Sequence, residues 1–149
     1  MLIDYDLPLW RPPSEADSFI LQATLGCSFN RCSFCSMYRT KAFAIRSLAA
    51  IQADIQAVAR AYPGTRRVFL ADGDALAAPT DHLLAILENL PAAFPRLERI
   101  SSYALPANLL KKSVNELTRL PKAALTLIYY GIETPSADLL KPITKCATP

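Results

Sequence analysis

Three cysteines lie close together near the start of the chain, and a fourth stands alone near its end. Cys27, Cys32 and Cys35 follow the spacing Cys-x4-Cys-x2-Cys, and Cys146 is far from all three in sequence. Thiolates on one short loop can each bind one iron of a shared iron–sulfur cluster. If only three thiolates reach a four-iron cluster, one iron stays open to a small molecule. That arrangement suits an enzyme better than a plain electron carrier.

Other uses of these cysteines stay open on spacing alone. With Cys146 as a fourth ligand, the spacing also resembles that of a plant-type 2Fe–2S ferredoxin. A closed zinc site would need Cys146 or His82 as its fourth ligand. Two disulfides would fit a secreted protein, and buried unreactive thiols are the remaining alternative. The polar neighbours of the three cysteines and the lack of an export signal disfavour these last two.

The composition indicates one folded domain. The chain has 149 residues, of which 52% are hydrophobic and 19% charged, and its net charge is +3. This composition excludes an intrinsically disordered chain, and the small, scattered charge gives no specific signal for nucleic acid or an anionic membrane. The longest uncharged stretch, residues 18–30, is too short and too polar to span a bilayer. Asp4 and Asp6 stand where a secretory signal has basic residues, so we expect a cytoplasmic protein.

Apolar runs alternate with helical patterns along most of the chain. Residues 1–17 hold three prolines and are predicted to form an extended arm. Strand-like runs cover residues 18–24, 68–71, 99–103 and 125–130. Four strands separated by helices predict parallel pairing with right-handed crossovers.

Helix starts can be predicted from capping residues. Ser47 is expected to cap a helix whose apolar stripe runs from Leu48 to Tyr62, and Thr80 is expected to cap the next. Ser113 and Glu116 match a capping box. Thr134 and the proline after it are expected to begin a last helix.

Two α/β architectures fit this order of elements: an open doubly wound sheet, or part of a (βα) barrel. In both, functional residues collect where the parallel strands end. Because a closed barrel needs more strands, we expect a partial domain whose outer strand is an exposed edge. Such a chain should be poorly soluble alone, associate, or belong to a longer protein.

The cysteine loop resembles that of the radical S-adenosylmethionine (radical SAM) proteins. Residues 26–39 read GCSFNRCSFCSMYR, similar to a bacterial and archaeal group whose loop reads GCSxNxCxFCxMY. The first gap in this group has four residues, where the superfamily usually has three. Later segments resemble the family's strand motifs in the same order: FLADGDAL at 69–76, SSYA at 101–104 and GIET at 131–134. KCAT at 145–148 stands where the family usually has Lys-Gly-Ala-Thr. The resemblance runs from about residue 11 onward.

The resemblance implies a fold and a chemistry. The fold would be α/β, a partial (βα) barrel of the radical SAM type with about four parallel βα units over residues 18–149. Cys27, Cys32 and Cys35 would bind a 4Fe–4S cluster, whose open iron chelates the amino and carboxylate groups of S-adenosyl-L-methionine. One electron, from a donor such as flavodoxin or ferredoxin, would then yield a 5′-deoxyadenosyl radical that abstracts hydrogen from a substrate.

Six further residues occupy positions that the resemblance places near S-adenosylmethionine: Phe34, Asp72, Gly73, Asp74, Ser102 and Glu133. Phe34 would lie by the adenine, the Asp-Gly-Asp segment by the methionine ammonium, and Glu133 by the ribose or methionine. Each also has a structural explanation: a packing ring, a strand-to-helix turn, and a helix N-terminal carboxylate. For Ser102 a solvated strand end explains the residue better.

Several neighbouring residues have no specific assignment. Arg31, Arg39, Lys41 and Arg46 add positive charge around the cysteines, which favours an anionic cluster but fits a solvated loop equally well. Cys146 is interpreted as incidental. The alternatives to a radical enzyme are a non-catalytic iron–sulfur electron-transfer protein and a degenerate or truncated cluster-binding scaffold. No segment of the sequence indicates the substrate.

Overall fold

The protein, described over residues 2–145 in a computed structural model, is built around a four-stranded parallel sheet. The strands are β1 (Phe19–Gln22), β2 (Thr24–Leu25), β3 (Ala44–Ile45), β4 (Arg67–Ala71), β5 (Arg99–Ala104) and β6 (Leu125–Tyr130). The main sheet has the order β1-β4-β5-β6, and β2 pairs with β3 in a separate antiparallel ribbon. The α/β class with four parallel strands is confirmed.

Helices connect the strands. They are α1 (Leu48–Ala61), α2 (Thr80–Ala93), α3 (Pro106–Leu110), α4 (Val114–Lys122) and α5 (Ala137–Leu140). None of the helices in the described residues is long and apolar enough to cross a membrane. Because the strands are parallel, all their carboxyl ends meet at one edge of the sheet.

One face of the sheet packs against the helices, and we call it the helix face. Its strand residues are Leu21, Val68, Leu70 and Ile100. They form one buried cluster with residues from three helices, Ile51 and Ile55 of α1, Leu83 and Leu87 of α2, and Leu120 of α4. Each fully buried aliphatic side chain of this kind contributes roughly 1.5–3 kcal/mol by leaving water.

The other face, the inner face, is covered by the N-terminal arm. Ile20, Phe69 and Ala71 form a second buried cluster, packed against Tyr5 and Leu9 of the arm and Tyr103 and Tyr129 of the sheet. No residue of the five helices belongs to this cluster in the described part of the chain. A doubly wound sheet would have helices on both faces, so the arrangement is that of a partial barrel.

Two predicted helix caps are confirmed and two are wrong. Ser47 Oγ accepts a hydrogen bond from the Ala50 amide at 3.3 Å, and Ser113 and Glu116 form the capping box. Thr80 is instead the first residue of α2, and its hydroxyl donates to Glu116 Oε1 at 2.7 Å. The last helix begins at Ala137 rather than beside Thr134, because the Ser136 hydroxyl accepts a hydrogen bond from Leu139.

The predicted stripe of α1 is buried only in its middle. Ile51, Ile55 and Val58 lie in the core, whereas Leu48 and Tyr62 at the two ends are exposed. Helical spacing in the sequence shows which side of a helix is apolar but not which of its turns lie over the core.

A buried carboxylate fixes the arm to the sheet. Glu15 is fully buried, and its Oε1 atom accepts hydrogen bonds from Arg99 at 2.8 Å and from the Tyr129 hydroxyl at 2.7 Å. Burial raises the pKa of Glu15, but hydrogen bonds from Ser18, Tyr129 and Arg99 outweigh it and hold the pKa below its ordinary value. The predicted arm is therefore a packed part of the structure.

Candidate functional site

The cysteine loop lies between β2 and β3, at the edge where the parallel strands end. Cys27, Cys32 and Cys35 are half-buried, and all three thiols are free. The Cys35 amide donates to the Cys32 carbonyl at 3.2 Å, which makes a tight turn. Arg39 clamps this turn, since its guanidinium donates to the Cys32 carbonyl at 2.6 Å and to the Cys35 carbonyl at 3.0 Å.

The protein environment raises the pKa of two of the thiols, Cys27 and Cys32. Burial raises the pKa of Cys27, although the amides of Asn30 and Phe29 lower it, and the charges of Asp74 and Cys35 raise it further. Burial also raises the pKa of Cys32, against the effect of the Lys145 ammonium. Because a metal deprotonates a coordinating thiol outright, iron binding at these cysteines must release protons.

Asp72 anchors the base of the loop. The residue is fully buried, and its Oδ1 atom accepts a hydrogen bond from Gln22 at 2.9 Å. Its Oδ2 atom accepts one from the Gly26 amide at 2.9 Å and one from Lys41 Nζ at 2.8 Å. The carboxylate thus joins β1, β4 and both sides of the loop.

Lys41 is part of this anchor and not of a solvated loop. Its side chain is only 2% exposed, and its ammonium lies between Asp72 and Asp6 of the arm. The arm also reaches the loop through Trp10, whose indole nitrogen donates to the Met37 carbonyl at 3.0 Å. The N-terminal arm therefore supports the cysteine loop directly.

Asp74 makes a second connection from the strand ends to the loop. Its Oδ2 atom accepts a hydrogen bond from the Ser28 hydroxyl at 2.6 Å and another from the Asn108 amide group, and its Oδ1 atom accepts one from the Leu105 amide at 3.2 Å. Burial raises the pKa of Asp74, although these hydrogen bonds act in the opposite direction.

Gly73 lets the loop approach the end of β4. A Cβ atom at this position would stand 2.7 Å from Cε2 of Tyr38 and 2.9 Å from Cβ of Cys27, closer than carbon atoms pack. The Gly73 amide donates to the Gly26 carbonyl at 3.0 Å. The glycine therefore allows Tyr38 and Cys27 to lie against the Asp-Gly-Asp segment.

The far side of the loop is closed by the segment that follows β6. The Ser33 amide donates to the Ile143 carbonyl at 2.9 Å. Next to it, the Lys145 ammonium lies 5.6 Å from the centre of the Phe34 ring and donates to Glu133 Oε1 at 2.9 Å. The structure thus brings Phe34 and Glu133 close together, although 98 residues lie between them in the sequence.

Ser102 differs from its expected setting. It is fully buried, and its hydroxyl donates to the Leu70 carbonyl of the neighbouring strand at 3.1 Å. The interpretation as a solvated strand end is wrong, because the strand continues to Ala104 and α3 follows at once.

A model of the radical SAM superfamily matches residues 21–148 of the chain. The chain belongs to the radical SAM superfamily. No curated protein and no solved structure matches. The matched range contains the cysteine loop, the Asp-Gly-Asp segment, strands β4, β5 and β6, and the second half of β1.

The donor set of this radical SAM protein is three cysteine thiols on one loop, the ligand type of iron–sulfur clusters. Within residues 2–145, no three side chains of the ligating types converge as one ion would require. In a cubane each thiolate binds its own iron, so the three sulfur atoms stand further apart than around one ion. The three thiols are free and half-buried, and Cys27 lies directly against Gly73 at the end of β4.

Sequence reasoning missed two residues of the site and could not judge a third. Asn108 binds Asp74 from α3, and no motif in the sequence marks it. Tyr38 was visible only as the last aromatic residue of the loop pattern; it is buried beside Cys27 and Gly73. Cys146 lies outside the described residues, so its interpretation as incidental stays a prediction.

Proposed function

We propose that this radical SAM protein is an iron–sulfur enzyme that binds one 4Fe–4S cluster through Cys27, Cys32 and Cys35 and cleaves S-adenosyl-L-methionine reductively. The observation that carries the proposal is the loop of three free thiols, fixed by Asp72 and Asp74 at the carboxyl edge of a parallel sheet in a member of this superfamily. When bound, the cluster and S-adenosylmethionine supply a 5′-deoxyadenosyl radical that abstracts hydrogen from the substrate.

The chain's own residues bind and orient the cofactor. Phe34 presents an exposed ring on the cysteine loop, which suits stacking against an adenine. Glu133, one third exposed, can accept hydrogen bonds from hydroxyl or ammonium groups close to that ring. Gly73 and the acidic residues on both sides of it place two carboxylates at the end of β4, whose negative charge can attract a ligand's ammonium.

Asp72 contributes to this site mainly as an anchor of the cysteine loop. Its two carboxylate oxygens already accept three hydrogen bonds from within the chain, so its first role is to hold the loop. We assign the attraction of the methionine ammonium to the Asp72–Asp74 backbone segment and to the charge of Asp74. Ser102 lies on the neighbouring strand β5, and its hydrogen bond to the Leu70 carbonyl of β4 stabilises the sheet near the carboxyl ends of the strands.

The required electron has to come from a partner protein. We propose a low-potential donor such as flavodoxin or ferredoxin and a cytoplasmic setting, where thiols stay reduced. The substrate class is left open, because radical SAM proteins share the fold and the cofactor chemistry while their substrates differ.

The decisive experiment is electron paramagnetic resonance of the reduced, anaerobically reconstituted protein with and without S-adenosylmethionine. A spectral change on addition supports an iron open to the cofactor, and formation of 5′-deoxyadenosine under dithionite supports turnover. A spectrum that does not change when S-adenosylmethionine is added would favour an electron-transfer protein. A changed spectrum without 5′-deoxyadenosine would favour a scaffold that no longer turns over.

Single alanine variants test the ligands. Cys27→Ala, Cys32→Ala and Cys35→Ala should each lose most of the bound iron and the brown colour after reconstitution. Cys146→Ala is the matched control and should keep both. Full iron content in any of the first three variants, or loss of iron in the control, would contradict the assigned ligand set.

A further inference from the structure

Tyr38 is buried beside the cysteine loop, and the proposed function gives it no role. The residue is 3% exposed, yet its hydroxyl has no hydrogen-bond partner within residues 2–145. A buried hydroxyl without a partner costs about 1–3 kcal/mol. Such a group therefore points to an acceptor that arrives with a ligand.

The surroundings of the ring belong entirely to the candidate site. A Cβ atom added at Gly73 would stand 2.7 Å from Cε2 of Tyr38 and 2.9 Å from Cβ of Cys27, so the ring edge and Cys27 both lie against this glycine. The Lys41 ammonium lies 5.8 Å from the ring centre on another side. The ring is therefore packed between the Asp-Gly-Asp segment and the cysteine loop.

Burial raises the pKa of Tyr38 most, and the charges of Asp72, Tyr103, Cys27 and Cys35 raise it further. The Asp72 carboxylate already accepts hydrogen bonds from Gln22, Gly26 and Lys41. A thiolate or sulfide of a cluster bound beside Cys27 would add acceptors next to the ring, and such a sulfur atom accepts hydrogen bonds far better than a neutral thiol does.

We propose that the Tyr38 hydroxyl donates a hydrogen bond to a cluster sulfur atom at the Cys27 and Cys35 side, and thereby raises the reduction potential of the cluster. This inference rests on the proposed function. A hydrogen bond to sulfur withdraws electron density and stabilises the reduced, more negative cluster, which is one of the ways in which proteins set cluster potentials. Tyr38 is in this sense a positioning and tuning residue that does not touch the substrate.

The test compares the reconstituted wild-type protein with Tyr38→Phe, which keeps the ring and removes only the hydroxyl. We expect equal iron content, a more negative midpoint potential of the cluster measured without S-adenosylmethionine, and loss of the D₂O-induced shift of the iron–sulfur stretching bands in resonance Raman spectra. Tyr62→Phe, at an exposed tyrosine beyond α1, is the matched control and should leave the potential and the spectra unchanged.

The outcomes separate this inference from the proposed function. If the wild-type protein takes up no iron, the proposed function fails and this inference fails with it. If Tyr38→Phe binds iron normally with an unchanged potential and an unchanged D₂O shift, only the role of Tyr38 is overturned. If Tyr38→Phe loses its iron, the protein with 3-fluorotyrosine at position 38 decides. Its hydroxyl is a stronger hydrogen-bond donor, so the midpoint potential of the cluster should become more positive. An unchanged potential overturns the inference.

Discussion

At the scale of single residues, the site depends on a few buried polar contacts around the cysteine loop. Asp72 holds both sides of the loop, and Asp74 joins the loop to the end of β5 and to α3. Gly73, between the two aspartates, has no side chain and so lets Tyr38 and Cys27 pack against the backbone. The three residues are consecutive at the end of β4, so a short segment determines how the loop sits on the sheet.

Gly73→Ala should damage both stability and cluster binding. Its Cβ atom would overlap the Tyr38 ring and Cβ of Cys27, so one of them must move. Overpacking of this kind costs about 1–3 kcal/mol, and displacement of Cys27 should lower the iron content. Urea unfolding and iron analysis of the reconstituted protein measure the two effects.

Gly64→Ala is the control for this prediction, because no atom lies within 4 Å of the added Cβ. We expect its free energy of unfolding to stay within about 0.5 kcal/mol of the wild-type value, with normal iron content. Equal behaviour of the two alanine variants would show that the close approach at Gly73 is unimportant.

Asp72→Asn should be strongly destabilising. It leaves the Lys41 ammonium, 2% exposed, without its buried counter-ion, and the loss of one partner of a buried ion pair costs about 3–5 kcal/mol. Asp81→Asn breaks an ion pair with Arg119 whose aspartate is 86% exposed, and should cost less than about 1 kcal/mol. Urea unfolding compares the two, and similar losses would refute the anchoring role of Asp72.

At the scale of secondary-structure elements, α2 and α4 are joined by a shared carboxylate. Glu116 caps α4 by accepting from the Ser113 amide at 2.8 Å, and it also accepts from the Thr80 hydroxyl in α2 at 2.7 Å. The backbone hydrogen bond from Ser113 is the main reason that the pKa of Glu116 falls to about 2. The same residue thus caps one helix and docks it on another.

The lowered pKa of Glu116 predicts a specific pH dependence. The folded state holds this proton only near pH 2, whereas the unfolded chain binds it near its ordinary pKa of 4.5. The stabilisation is therefore fully present above about pH 4.5 and is lost as the pH falls toward 2. Glu116→Gln should be less stable than wild type at pH 7, and this difference should shrink progressively on acidification through that window.

Chemical unfolding at a series of pH values measures this difference. Glu88→Gln, at an exposed position of α2, is the control and should follow the wild-type curve. A Glu116→Gln curve that stays parallel to the wild type down to pH 2 would contradict the capping carboxylate.

At the scale of the whole molecule, the sheet has helices on one face, the arm on the other and an open outer strand. Among the described residues, no strand pairs with the outer edge of β6. Its side chains from Thr126 to Tyr130 are half-buried or exposed. Unpaired backbone groups along a strand are a template for pairing with another chain.

The open edge predicts association of this chain in solution. Light scattering after size-exclusion chromatography should give a mass above that of the monomer, and rising with concentration. Thr126→Lys places a charge on the edge and should shift the protein toward the monomer, whereas Asn115→Lys on α4 adds the same charge elsewhere and should not. A wild-type monomer at every concentration would refute the prediction.

The sequence by itself determined the four strands of the parallel sheet, the helices α1, α2 and α4, and the cysteine loop. Strands buried in a parallel sheet are continuous apolar runs, and a cluster loop supplies its ligands from neighbouring positions, so both signals are local. The sequence also predicted that the functional residues would lie at the edge formed by the carboxyl ends of the strands, because parallel strands all end on one side of the sheet.

Only the tertiary structure decided how the loop is held and what packs on each face of the sheet. Lys41 was indistinguishable from a solvated lysine until its ammonium was placed between Asp6 and Asp72. Glu15 meets Arg99 across the inner face, and Phe34 meets Glu133 through Lys145. These pairs join residues far apart in sequence, and no periodicity or capping pattern encodes contacts that arise only when the strands and the arm pack together.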